Sequence, residues 1–567
     1  MGGASTALAQ TVVATDVTTN TTWGGAANPS PIILNATIFV KNGATLTILP
    51  GTLVRGQPRQ AAVVPGFTTG APGAVIVTQN GRINAVGTAT NPIIFTTAAI
   101  DNNDDGIADD LDANPGFRDP WTAGSQFLDD TPTTAPIGPL DRNGRSNVQL
   151  WGGLVILGNA PTNLANKCGL GFGKCTIEGL TVPGYPAADC TYGGVKPHDN
   201  SGILRYVSLR YAGDEIGNSN ELNGLSLGGV GDGTTIDNVE VFVNFDDGFE
   251  WFGGTVNGSR LAVFYVGDDM FDLDEGYTGV NQFLFGVMPF FNETTGNPYG
   301  SASGDKAGEF DGDNYRPDNA AQNDNVNVRL RIDVSLPPNP VNVVFEATPS
   351  PLSAFSMYNM TVIGSTPTAP QDFVPVSAAS TNRGLQWRNG AAGNVFSSII
   401  TNTGAETGIE IDGGATGAPG FDAITNVNNG LTNLVCSTMA NGAALGAGET
   451  TAVNNGNALN LALGGTAAGN NNLGAGFNGL VNKDTTFDPT GLSACPGATC
   501  GKLAASLKSA PINPRPAAGF VGTVGCVAPQ GPGLSPVVFR GAFSAVAATP
   551  LWTNGWTALN QAGLLAN

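Results

Sequence analysis

Acidic side chains gather in two stretches of one pattern. Asp246, Asp247, Gly248, Phe249 and Glu250 are followed, at an offset of 22, by Asp268, Asp269, Met270, Phe271 and Asp272, with Asp274 two residues on. Glu309 and Asp311 repeat the alternation further along the chain. If consecutive copies stack as neighbouring strands, about 4.8 Å apart, each like-charged pair repels by roughly 3.5 kcal/mol at an effective dielectric of 20. The pairs Asp246 with Asp268, Asp247 with Asp269 and Glu250 with Asp272 then need relief. Bound cations supply it, and so does protonation of the carboxyl groups. In the first case all of these residues are calcium ligands. In the second, Asp246, Asp247, Asp268 and Asp269 form an acid–base set for cleaving a glycosidic bond. Arg260 is the nearest cation along the sequence that could offset the charge.

A second oxygen-rich segment spans residues 101–112. Asp101, Asn103 and Asp105 occupy alternate positions, Gly106 takes the turn, Ile107 offers its carbonyl, and Asp109 and Asp112 complete the loop. Oxygen donors at this spacing wrap a hard cation, and glycine at the sixth position allows the sharp turn. The segment resembles the calcium loops of dockerin and thrombospondin-type repeats. It is expected to bind calcium, with the short Asp112 at the last position weakening the grip.

The offset of 22 also identifies the elements that must position these groups. It matches one coil of a parallel β-helix and is too short for helical-hairpin repeats, which need more than about 30 residues. The apolar positions Val239 and Val241, then Leu261 and Val263, then Phe283 and Phe285 are expected to keep the same spacing. A core pattern of glycine followed by apolar, any, apolar recurs at Gly153, Gly224, Gly248, Gly384 and Gly408. Strand alternation sends the two apolar residues inward and the residue between them outward. Glycine suits the corner. The sequence therefore predicts an all-β, right-handed parallel β-helix with loop insertions and a C-terminal capping region. Residues 10–415 form the solenoid, with insertions at about 101–148, 165–200 and 292–325. Residues 416–567 form a Gly/Ala/Asn-rich region whose Phe539, Phe543, Trp552 and Trp556 are expected to dock on the end or flank of the coils.

The strings KNGATLTILPGTLVRG, GTATNPIIFTT, WGGLVILGNAPTN, NGLSLGGVGDGTTIDNVEV and DDGFEWFGGTVN resemble a family of bacterial secreted or cell-surface β-helix proteins, largely uncharacterised. The resemblance covers roughly residues 20–415 and the terminal FRGAF and LWTNGWT. It implies the fold and leaves the activity open. Val266-Gly267-Asp268-Asp269 and Asn244-Phe245-Asp246-Asp247-Gly248 also resemble the aspartate motifs of polygalacturonase-type hydrolases, in which such aspartates serve as acid and base. The Gly-His-Gly and Arg-x-Lys of those enzymes do not follow here. Calcium-dependent polysaccharide lyases need a basic side chain beside the ion. Arg316, Arg329, Arg331, Arg383 and Arg388 are the candidates.

Composition narrows the partners. The chain has 567 residues, 80 of them glycine, and a net charge of −21. Such an acidic surface repels nucleic acid and anionic lipid. No apolar run is long enough to span a bilayer. Ala7-Leu8-Ala9 before Gln10 reads as the end of a signal peptide cleaved after Ala9. Residues 1–9 are then its remnant and the protein is secreted or displayed on the cell surface. Seven cysteines suit that compartment, with Cys168–Cys175 and Cys495–Cys500 as short-loop disulfides and one cysteine left over. The single histidine, His198, and the cysteine spacings do not make a zinc site. Phe245, Trp251, Phe252, Tyr265 and Tyr277 flank the acidic rows. Trp251 falls inward, and Phe252 is the expected sugar contact. The leading expectation is a non-catalytic extracellular structural or adhesive protein stabilised by calcium, with glycans or further copies of itself as partners. The alternative is a calcium-dependent polysaccharide hydrolase or lyase acting at the face from Asp246 to Asp274.

Overall fold

The computed structural model describes residues 10–59, 71–101, 125–128, 147–164, 168–171, 173–180, 184–217, 220–288, 305–312, 353–364, 383–401, 431–440, 533–546 and 548–563, with short pieces at 329–332, 343–346, 403, 409–411, 423–428, 471–472, 480–482, 512–516, 529 and 565–566. It is a parallel β-helix. One face is a nine-stranded sheet of the strands Thr37–Val40, Ala74–Val77, Gly153–Leu157, Leu225–Gly228, Phe249–Phe252, Phe271–Asp274, Lys306–Asp311, Arg383–Arg388 and Ile409–Ile411. All neighbours in it are parallel.

Each of these strands sends alternate residues inward, and the inward residues stack in rows. One row runs Val40, Val77, Ile156, Leu227, Trp251, Leu273, Phe310, Trp387 and Ile411, and every member is buried. Burying a side chain of this size contributes about 1.5–3 kcal/mol. Aromatic neighbours interlock along the axis: the ring centroids of Phe310 and Trp387 lie 4.8 Å apart, and those of Phe310 and Phe355 lie 4.4 Å apart.

The other two faces are joined by strands that bend. Gly202–Arg210, Thr235–Phe242, Asn257–Phe264, Val280–Val287 and Ala354–Ile363 pair in parallel. Each carries one left-handed residue at its bend: Tyr206, Asn238, Arg260, Phe283 and Asn359, with φ between 51° and 63°. The register skips that residue. Arg205 pairs with Asp237 and Val207 with Val239, while Tyr206 and Asn238 stay out of the ladder.

The expected spacing fails at one step here. Leu261 stacks on Leu284 and Val263 on Gly286, an offset of 23, so Phe283 and Phe285 are not in the inward row. The turn after Asp274, through Glu275, Gly276 and Tyr277, is one residue longer than the turn after Phe252. A shift of one residue exchanges the two faces of a strand. Phe283 becomes the bend and Phe285 points outward, where its ring meets Phe264 and Phe543.

That outward apolar surface is covered by the C-terminal tail, which docks on the flank of the coils. The tail runs lengthwise. Arg540 donates to the Ser437 carbonyl, the Ala542 N–H donates to Thr361, Trp556 packs edge-on against Tyr206, and Arg210 donates to Gln561. Glu240 accepts two bonds from the Ala558 N–H, at 2.8 and 3.0 Å, where the short helix Ala558–Gln561 begins. Parallel pairing also continues past residue 415, through Thr432–Val435, Thr438–Ala440 and Asn471–Asn472. Among the described residues no helix is long and apolar enough to cross a membrane.

Cys168 and Cys175 form a disulfide, Cys190 is a buried free thiol, and Cys436 is disulfide-bonded. Cys495, Cys500 and Cys526 lie outside the described residues.

Candidate cation-binding site

The outward row of the nine-stranded sheet reads Phe39, Ile76, Val155, Ser226, Glu250, Asp272, Glu309, Gln386 and Glu410. It changes character at Ser226. The apolar half is covered by the insertion that follows Ala160, through Leu164, Ile177, Leu180, Tyr185 and Tyr192. The polar half is the acidic strip. Stacking of Glu250 on Asp272 agrees with the 22-residue offset. Glu309 continues the row at an offset of 37, because an insertion intervenes.

The corners that precede these strands are held by a ladder of amide bonds. The Asp247 N–H donates to Asn223 Oδ1 at 3.2 Å, and the Asp269 N–H donates to Asp247 Oδ1 at 2.8 Å. The Asp305 N–H donates to the Asp268 carbonyl at 3.0 Å. Gly248 stands where an added Cβ would meet the Met270 carbonyl at 2.6 Å, so the close approach of successive coils requires glycine. Each corner therefore presents its aspartates above those of the next.

Among the described residues four overlapping triplets result: Asp246, Asp247 and Asp268; Asp247, Glu250 and Asp272; Asp268, Asp269 and Asp305; and Asp269, Asp272 and Glu309. Within each, one oxygen per residue lies within 4.8 Å of the others. Asp269 is 3% exposed, yet its Oδ1 has no hydrogen-bond partner, and neither has Asp272 Oδ1. Burial first, and then the neighbouring carboxylates, push Asp246, Asp247, Glu250 and Asp272 well above the usual carboxylate range. Asp268 is pushed up to about 7 by burial, with Asp269 adding to it. In Asp269 burial raises the value while the Lys306 ammonium opposes the shift.

Among the described residues Lys306 and Arg388 enter the acidic clusters, Arg383 pairs with Glu410 at the far end of the row, and Arg260 is not among them. Arg260 pairs with Asp237 on another face, at 3.0 Å. Lys306 contacts Asp269 at 3.3 Å and also binds Asp305 and Glu309. Burial opposes its charge, but the carboxylates outweigh burial and raise its pKa. Arg388 binds Glu309 and, at 2.7 Å, Asp311. Lys306, Asp305 and the shielding by Tyr192 were hidden from sequence reasoning, since insertions separate them from the repeat. The recurring apolar alternation before Glu309 was the signal that could have found Lys306, three residues earlier.

Not every expected site residue joins the strip. Asp274 is in register with Phe252 and stands outside the four triplets, as does Asp311, which is held by Arg388 and Asn389. Of the 101–112 loop only Asp101 is described, and it is buried; Asn103, Asp105, Ile107, Asp109 and Asp112 lie outside the described residues. Arg316 does too, and Arg383 pairs with Glu410. Phe252, expected to contact sugar, is 4% exposed beneath Tyr192, at 5.9 Å between ring centroids. The insertion takes the contact. Trp251 is in the core as expected, and Tyr277 and Tyr265 are also buried.

Chemically, the strip is an all-oxygen donor set, which suits calcium or magnesium over softer metals. His198 is exposed and bonded to Asp232, and it belongs to none of the triplets. The two orphaned oxygens, on Asp269 and Asp272, are an observation that a cation among the triplets would satisfy.

Residues 18–107 and 140–478 match the sequence profile of a family described as a pectate-lyase-like β-helix domain. Neither a curated protein nor a solved structure matched the chain.

Proposed function

Because this chain belongs to the pectate-lyase-like β-helix domain family, we propose that it is a calcium-dependent, polysaccharide-active protein whose substrates are acidic polysaccharides. The observation that carries this reading is the set of triplets around Asp247, Glu250 and Asp272, rich in carboxylates and left with unpartnered buried oxygens. Asp246, Asp247, Glu250, Asp268 and Asp272 would hold the ion. A bound calcium supplies charge neutralisation of a uronate carboxylate, which acidifies the adjacent C–H bond. A polyanion approaching a chain of charge −21 needs such a bridge.

The chain's own residues have narrower roles. Lys306 is held protonated by its three carboxylates and keeps Asp269 and Glu309 in place, so it does not serve as a base. Arg388, with a side chain 40% exposed, is the cation at the strip's margin and is placed to meet an anionic sugar. Asp246, Asp268 and Asp272 are the partly exposed carboxylates, so a polymer would lie along them. The tight triplets, with oxygens within 4.8 Å, favour a shared cation over a hydrolytic acid–base pair, which needs about 5–5.5 Å between carboxyl groups in its retaining form and about 6.5–9.5 Å in its inverting form.

The test is incubation of the chain with oligouronides in calcium or in chelator. Ultraviolet absorbance of an unsaturated product that appears only with calcium supports the reading. Equal inactivity in both, with no binding of the polymer, defeats it.

A second reading is favoured by the cover on the strip: Asp247 and Glu250 are each 6% exposed, and Tyr192 donates to Glu275 at 2.5 Å beside them. It is a non-catalytic, calcium-ordered structural or adhesive protein, self-associating or glycan-binding. Calcium binding with no unsaturated product, whether or not the polymer binds, would select it. The Cys168–Cys175 disulfide supports an oxidising, extracellular or cell-surface location for either reading.

A further inference from the structure

The acidic strip is not uniform along its length. At one end Lys306 stands among Asp269, Asp305 and Glu309, and Arg388 closes over Glu309 and Asp311. Two of the four triplets, Asp268 with Asp269 and Asp305, and Asp269 with Asp272 and Glu309, thus have an ammonium already in contact with two of their members. At the other end Asp246, Asp247, Glu250, Asp268 and Asp272 make no ion pair among the described residues. Asp269 lies on the border. Its Oδ2 faces Lys306, while its Oδ1, in a residue 3% exposed, has no partner. Asp272 Oδ1 is unpartnered in the same region. The lysine therefore satisfies its own end of the strip and stops short of these oxygens.

We propose that the strip is divided, with metal ions held only at the end built by Asp246, Asp247, Glu250, Asp268 and Asp272, and with Lys306 acting as a permanent, covalently tethered cation at the other end. The physical reason is like-charge exclusion. A divalent ion entering either triplet beside Lys306 would sit within a few ångströms of an ammonium, and would have to displace it from carboxylates it already binds. The first end has no such competitor and carries the larger unrelieved repulsion. This inference rests on the reading that the strip binds calcium, and it says which carboxylates do so.

The experiment is calorimetric titration of the full chain, stripped with chelator, with calcium chloride alone, alongside elemental analysis of bound calcium. Asp247→Asn, which belongs to both lysine-free triplets, is expected to abolish the heat of binding. Asp305→Asn and Glu309→Gln are expected to leave the stoichiometry as in the unaltered chain. Lys306→Met, by vacating its triplets, is expected to raise the stoichiometry. Loss of calcium from Asp305→Asn or Glu309→Gln as complete as that from Asp247→Asn overturns the division, and so does an unchanged stoichiometry in a folded Lys306→Met chain. If Lys306→Met does not fold, the Asp305→Asn and Glu309→Gln comparisons with Asp247→Asn decide alone. An unaltered chain that binds no calcium defeats the functional reading itself. One that binds calcium with the opposite distribution defeats only the division.

Discussion

Glu250 and Asp272 are direct partners in the parallel ladder, and both share a triplet with Asp247. No lysine or arginine pairs with either among the described residues. Two carboxylates on consecutive coils, turned to the same side and partly shut off from water, are a standing cost to the fold.

Calcium is expected to remove much of that cost. A ligand that binds only the folded chain stabilises it by about 2.7 kcal/mol at a concentration 100 times its Kd. Thermal unfolding should therefore shift upward with calcium and downward with chelator. An identical melting temperature in both would show that the strip takes no ion.

Replacing Glu250 by glutamine should act in opposite directions in the two conditions. Without calcium it removes a repulsion of at most roughly 3.5 kcal/mol, for charges about 4.8 Å apart at a dielectric of 20, and the melting temperature should rise. With calcium it removes a ligand, and the gain from the ion should shrink. Destabilisation in chelator would contradict the account of the strip as a site of repulsion.

Glu240 gives the tail a pH dependence. Its carboxyl is buried and raised to about 7 by that burial, against the opposing pull of Arg210, Ser208 and the Ala558 N–H. The folded chain then holds a proton between pH 4.5 and about 7 that the unfolded chain has released. Its contribution is complete below pH 4.5 and is lost as pH rises towards 7, by at most about 3 kcal/mol. The Glu240→Gln chain should lose this part of the slope when urea midpoints are measured across that range. An unchanged slope would assign the pH dependence to other groups.

Phe310 is a core position with much to lose. It is buried, stacked in register between Leu273 and Trp387, and in ring contact with Phe355. Phe310→Ala should cost about 3–5 kcal/mol, read as a lower midpoint of denaturant unfolding. A loss below about 1 kcal/mol would mean that the coils collapse onto the gap.

Much of the fold was legible because a parallel ladder repeats at the interval of its coil. Phe249 over Phe271 and Glu250 over Asp272 follow from the offset alone. What escaped was whatever an inserted residue or loop displaces. One extra residue in the turn near Tyr277 sent Phe285 outward. The insertion carrying Tyr192 returned to cover Phe252, and the stretch between Asp274 and Asp305 brought Lys306 to Asp269 from outside the repeat. The carboxylates of the site could be read, but their counter-charge could not. Nearness along the sequence pointed to Arg260, which the bend places on a different face.

The lengthwise tail has a consequence for how the molecule is made. A stack of coils touching only its neighbours can form from either end and fray one coil at a time. Here Gln561 meets Arg210, and Ala558 meets Glu240, across 351 and 318 residues of chain. Contacts of that span form late and slowly. During synthesis, the aromatic flank formed by Tyr211, Phe242, Phe264 and Phe285 waits for the residues of the tail that pack on it. Once seated, they splice coils that would otherwise open independently into a single cooperative unit.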